Sequence, residues 1–151
     1  RDKTASLFAF ATRVGARLGG GDAAGQAALA EFGEALGIAF QLVDDVIDYQ
    51  GEATGKTLFA DLGEGKLTLP LVLAVAAVPG LDEDVRRVHG GDRSLVASII
   101  RRVIESGACE EVRRRARQFT TKAIDALRPI EESPARRLLE VVAHQLAARV
   151  S

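Results

Sequence analysis

The sequence contains no methionine and no tryptophan, one tyrosine and one cysteine. A single cysteine, Cys109, excludes an intrachain disulfide and fits a reducing compartment, so the expected location is cytoplasmic. Cys109 itself reads as a small buried hydrophobe. The longest apolar run, 67–78, is interrupted by Thr68 and Pro70 and falls short of the roughly 20 residues a bilayer crossing needs. No transmembrane segment and no signal peptide are expected. A formal net charge of −1 leaves no global field for nucleic acid, so any anion site has to be local. No stretch alternates as a half-buried strand does, and no repeat or low-complexity segment is visible. The missing methionine at position 1 suggests a chain truncated at its N-terminus.

What is present suffices for a real core. With 151 residues, 47% of them hydrophobic and 27% charged, the chain can build one compact domain over 1–151. Leu7, Phe10 or Ala11, Val14 and Leu18 recur at helical spacing, predicting a helix over 4–18 with that stripe buried, ended by Gly19-Gly20-Gly21. Asp22 is placed as the N-cap of a long second helix reaching to about 49. Its first half is rich in Ala and Gly, which permits close helix approach and makes it central. Further helices are expected at 67–78, 82–89, 94–105, 110–130 and 134–150. Pro70 is tolerated in a first turn, and Ser133-Pro134 supplies a cap and a proline at N1. The fold class is all-α.

The most informative stretch is Gln41-Leu42-Val43-Asp44-Asp45-Val46-Ile47-Asp48. At about 100° per residue, Gln41, Asp44, Asp45 and Asp48 share one arc of a helix, and Leu42, Val43, Val46 and Ile47 cover the other side. A cluster of acids is usually just the wet side of an amphipathic helix. Here Leu36-Gly37-Ile38-Ala39-Phe40, immediately upstream, is apolar all round, which marks a buried helix. No Lys or Arg stands three or four residues from the acids, so a bound cation would offset the cost of burying them.

Downstream, Gly55-Lys56, Asp61 and Gly65-Lys66 precede Leu67-Thr68-Leu69-Pro70. Mg²⁺ takes one or two carboxylates and shares its remaining positions with water and substrate phosphates, while lysines neutralise the other phosphate charges. Either half of the pattern is common by itself. The combination fits a magnesium and diphosphate site.

Phe40-Gln41-Leu42-Val43-Asp44-Asp45-Val46-Ile47-Asp48, Gly55-Lys56, Asp61-Leu62 and Glu64-Gly65-Lys66-Leu67-Thr68-Leu69-Pro70 together resemble the second aspartate-rich region of the trans-type polyprenyl diphosphate synthases. Lys3-Thr4-Ala5-Ser6-Leu7-Phe8 is similar to the Lys-Thr motif upstream of that region. The resemblance covers the C-terminal half of such a synthase and implies part of an antiparallel helical bundle of the isoprenoid synthase type. It implies a prenyl transferase that condenses isopentenyl diphosphate with an allylic diphosphate, dependent on Mg²⁺ with Mn²⁺ as an alternative, and a homodimer.

By the same resemblance Asp44, Asp45 and Asp48 are the metal ligands, with Asp44 the first choice, and together with Lys66 they form the catalytic set. Lys3, Thr4, Gln41, Lys56 and Lys66 bind substrate. The loop between Asp48 and Lys56 is shorter than the family pattern. The family's first aspartate-rich motif is absent from these 151 residues, so the chain alone is expected to be inactive.

Two other readings compete. A non-catalytic helical subunit or dimerisation partner would have no need to keep Asp44, Asp48, Lys56 and Lys66 together. A terpene cyclase would not carry Gly65-Lys66-Leu67-Thr68-Leu69-Pro70. Asp82-Glu83-Asp84 reads as acids on a helix N-terminus, and Arg113-Arg114-Arg115 with Arg117 as a solvated helix face. His89 and His144 are assigned to no metal.

Overall fold

The structure, a computed structural model, describes residues 2–49 and 65–149. Seven α-helices make up the described residues, with no strand: α1 (Asp2–Leu18), α2 (Ala23–Ile47), α3 (Leu69–Ala77), α4 (Leu81–His89), α5 (Val96–Glu105), α6 (Ala108–Ala126) and α7 (Pro134–Ala148). A 3-10 turn, Arg93–Leu95, leads into α5. No helix among the described residues is long and apolar enough to cross a membrane. The chain groups into two compact units, 1–43 with 114–151, and 44–113.

The helix boundaries follow from local chemistry. The Asp22 side chain accepts from the Gly25 N–H at 2.8 Å, and Ser133 accepts from the Arg136 N–H at 3.1 Å with Pro134 at the helix start. Gly20 at φ 79° closes α1. At the end of α6, the Leu127, Arg128 and Ile130 N–H groups bond three residues back, so 127–130 tightens out of the α-helix that was expected to run on.

In the first unit, α1 and α2 approach through glycines. A Cβ at Gly37 would lie 2.7 Å from Ala5 Cα, and one at Gly33 would lie 2.6 Å from the Phe8 carbonyl oxygen. Phe8 stacks obliquely on Phe40 with ring centroids 5.8 Å apart. This contact overturns the expected buried stripe of α1. Ala5, Phe8 and Thr12 face α2, because only small or flat groups fit against a glycine ridge, while Leu7, Phe10 and Leu18 are 63%, 65% and 84% exposed. The unit's core is Phe32, Ala35, Leu36, Ala39, Ala123 and Leu127.

In the second unit, α3, α4 and α5 pack on one another around Leu71, Ala74, Leu81, Val85, Ile99 and Val103. Asp82, Glu83 and Asp84 occupy the first turn of α4, as the dipole favours. Asp84 also pairs with Arg102 of α5 at 2.6 Å, and Arg102 reaches the Pro79 carbonyl at 2.7 Å. Cys109 is buried, and burial pushes its thiol pKa up, with Arg113 opposing.

Gly37→Ala separates two effects of opposite sign. Helix propensity alone would stabilise α2 by about 0.8–1 kcal/mol. The clash is with backbone, which cannot rotate away, so overpacking of about 1–3 kcal/mol should win. Urea unfolding should show a net loss of stability; a gain would mean that α1 and α2 do not approach this closely.

Candidate functional site

The end of α2 separates apolar from acidic side chains as its periodicity requires. Leu42, Val43, Val46 and Ile47 are no more than 4% exposed, whereas Gln41, Asp44, Asp45 and Asp48 are half-buried. The acids are neither a free solvent face nor a closed interior. The α-helix stops at Ile47. One further turn continues beyond it, since the Asp48 N–H donates to the Asp44 carbonyl at 3.4 Å and the Tyr49 N–H to the Val46 carbonyl at 2.9 Å.

In the second unit, two hydrogen bonds join this helix end to the start of α3. The Leu69 N–H donates to Asp45 Oδ2 at 3.0 Å, and the hydroxyls of Tyr49 and Thr68 are 3.1 Å apart in a buried contact. A helix start leaves its first N–H groups without intrahelical partners. At α3, Pro70 has no N–H, and the first bond inside the helix runs from the Val72 N–H to the Thr68 carbonyl at 3.1 Å. Thr68 sits at the N-cap with extended backbone, yet its side chain makes no cap bond. Asp45 provides that cap from another helix. The helix start consequently falls at Leu69, two residues later than the expected 67.

Burial holds the Tyr49 phenol pKa up at about 12; Asp48, Cys109 and Asp45 push the same way, and the bond to Thr68 opposes them. Tyr49 is therefore a neutral hydroxyl at physiological pH.

Lys66 is exposed and lies two residues before Thr68, just after Gly65, whose φ is 74°. Gly65 thus holds a left-handed conformation that suits glycine. Asp44, Asp45, Asp48 and Lys66 belong to the second unit; Lys3, Thr4 and Gln41 belong to the first. Lys3 is exposed and Thr4 half-buried, beside the Ala5 that meets Gly37, one helical turn before Gln41. Lys56 and Asp61 lie outside the described residues, as does the 51–59 part of their loop.

Among the described residues, no three His, Cys, Asp or Glu side chains are grouped so as to hold a metal ion jointly. Asp44 and Asp48, one turn apart, offer hard oxygen donors of the kind Mg²⁺ takes in ones and twos, so these residues fit that ion. His89 and His144 are exposed, and Arg113 pairs with Glu110 at 3.2 Å. Tyr49 and Thr68 were not singled out by the sequence analysis. Their signal was the placement of Tyr49 four residues after Asp45, which puts both on one side of the helix.

Comparison with known proteins gives a consistent set of similarities. The family model described as polyprenyl synthetase matches residues 1–105. The chain is 37% identical over 145 residues to a short chain isoprenyl diphosphate synthase of Methanothermobacter thermautotrophicus, covering 93% of this chain and 45% of that protein. It is 37% identical over 147 residues to an octaprenyl diphosphate synthase of Escherichia coli, covering 94% and 46%. Among solved structures, a polyprenyl synthase from Caulobacter crescentus, complexed with calcium and isoprenyl diphosphate, superposes with a TM-score of 0.89 at 37% identity, covering 99% of this chain and 47% of that one. A decaprenyl diphosphate synthase from Rhodobacter capsulatus gives the same score and identity, covering 99% and 48%. The chain spans about half the length of the curated relatives it matches.

The lone tyrosine makes one prediction directly readable. Tyrosinate absorbance near 295 nm reports Tyr49 alone, and its titration in the folded chain should lie near 12, against about 10 in the urea-unfolded chain. Because the folded pKa is the higher one, the stability it reflects is complete below about pH 10 and is lost as pH rises toward 12. Up to about 2–3 kcal/mol follows from a shift of this size. Thermal melts of wild type and Tyr49→Phe at rising alkaline pH should converge; parallel curves would refute the buried hydroxyl.

Proposed function

The chain belongs to the polyprenyl synthetase family, and from that membership we propose that it forms part of a prenyl transferase that joins isopentenyl diphosphate to an allylic diphosphate. The observation that carries this reading is the half-buried pair Asp44 and Asp48 at the end of a helix whose other side is core, with the Lys66 segment held to that end by hydrogen bonds. In the proposed reaction the allylic carbon–oxygen bond breaks and the electron pair leaves with diphosphate. The double bond of isopentenyl diphosphate attacks the allylic cation, forming the new carbon–carbon bond, and a proton is lost to restore an alkene.

Asp44 and Asp48 would hold Mg²⁺, with Mn²⁺ as a substitute. Bound there, the ion supplies Lewis-acid stabilisation of the charge that gathers on the leaving diphosphate. Lys66 faces solvent and binds phosphate oxygens as a point charge, with Lys56 in the same role. By the family resemblance Lys3, Thr4 and Gln41 are further substrate-binding residues. The assembly proposed is a homodimer in the cytoplasm, with no nucleic acid partner.

The test uses the protein encoded by the complete natural reading frame, assayed for diphosphate release. Release should require Mg²⁺ or Mn²⁺ and both substrates, and the 151-residue chain alone should show none. Undiminished turnover in excess EDTA would sink the reading. Asp44→Asn removes a ligand whose main effect is in the transition state, so kcat should fall by roughly 10²–10³, the scale of a lost oxyanion-hole donor. Lys66→Ala should instead raise KM for a diphosphate substrate more than it lowers kcat. Near wild-type kcat in a folded Asp44→Asn enzyme would exclude the metal role.

A further inference from the structure

The two neighbouring aspartates of α2 do not face the same way. Asp44 and Asp48 form one row along the helix, and Asp45 and Tyr49 form a second, about 100° around the axis. The second row is committed to the chain. Asp45 Oδ2 accepts the Leu69 N–H at 3.0 Å, and Tyr49 meets the Thr68 hydroxyl at 3.1 Å. Two consecutive residues of the incoming segment are thus tied to two residues one turn apart on the helix. A two-point attachment of this kind fixes both the position and the rotation of the segment.

We infer that Asp45 and Tyr49 are positioning residues: through Thr68 and Leu69 they hold Lys66 in register with Asp44 and Asp48. This deepens the proposed function and rests on it. Lys66 is only two residues from Thr68, a reach of about 7 Å at full extension, so a segment fixed at Thr68 leaves the lysine backbone little room to wander. Thr68 does not stand in for Asp45: its hydroxyl meets Tyr49 and makes no cap bond. The three carboxylates of the stretch do not group for a shared metal ion, as two rows pointing in different directions would require.

Charge and hydrogen bonding can be separated at Asp45. Asp45→Asn keeps an acceptor oxygen for the Leu69 N–H and removes the negative charge; Asp45→Ala removes both. In the protein from the complete reading frame, Asp45→Asn should hold the Mg²⁺ concentration for half-maximal activity within about twofold of wild type, while Asp45→Ala raises KM for the diphosphate substrate about tenfold or more with a smaller fall in kcat. Tyr49→Phe should raise the same KM by a lesser factor. A general loss of folding would not produce this selective rise with rescue by Asn.

If Asp45→Asn shifts the Mg²⁺ requirement tenfold or more, as Asp44→Asn should, Asp45 is a ligand and the inference falls while the proposed function stands. If Asp45→Ala does not fold, Asp45→Asn and Tyr49→Phe still decide. If Asp44→Asn and Lys66→Ala both behave as wild type, the proposed function falls and the positioning role with it. Amide exchange at Leu69, expected to be slow in wild type and Asp45→Asn, tests the cap itself; fast exchange in wild type overturns the inference regardless of activity.

Discussion

The leading N–H groups of a helix need acceptors where they are withdrawn from water, and at the half-buried start of α3 that requirement is met from a different helix. The sequence Thr68-Leu69-Pro70 narrows the options. Pro70 removes one donor, Thr68 spends its hydroxyl on Tyr49, and the Leu69 N–H goes to Asp45. Nine residues are too few for a stable isolated helix, and α3 is apolar along nearly its whole length. It persists because Pro70, Leu71 and Ala74 are buried against neighbouring helices and because its start is closed by a carboxylate. A cap of this kind is worth about 1 kcal/mol in an ordinary helix.

The same few residues of α2 therefore carry three duties. Leu42, Val43, Val46 and Ile47 form core, Asp45 and Tyr49 receive the next helix, and Asp44 and Asp48 remain at a half-buried surface. A period of 3.6 residues allows this division, since four successive residues sample the whole circumference. In the first unit α2 has a different constraint, the close passage of α1 over Gly33 and Gly37. Any side chain there would push α1 away, and Lys3 and Thr4 ride on α1 next to that contact.

Helix identity was legible because caps and breakers act locally. Asp22, Ser133 and Gly19-Gly20-Gly21 do what their chemistry dictates within four residues. The burial of α1 was not legible. The Leu7, Phe10 and Leu18 stripe is a sound helical pattern, but a pattern says only that an apolar face exists, and the glycines of α2 chose the other face. The same limit applied at the acids. Spacing placed Asp44, Asp45 and Asp48 in one arc, yet which of them an incoming chain would engage depended on Leu69, 24 residues beyond Asp45, a contact no local rule contains.

Magnitudes bear on why adjacent aspartates should differ in role. A side-chain cap at a helix start contributes about 0.5–2 kcal/mol. Drawing Asp45 away from Leu69 toward a cation would forgo that contribution. It would also leave the Leu69 N–H, at the head of a half-buried helix, without its acceptor. A cation that can be shared by water and diphosphate oxygens needs only one or two carboxylates. In the proposed site Asp44 and Asp48 would meet that need without disturbing the start of α3, and Asp45 would keep its place in the fold.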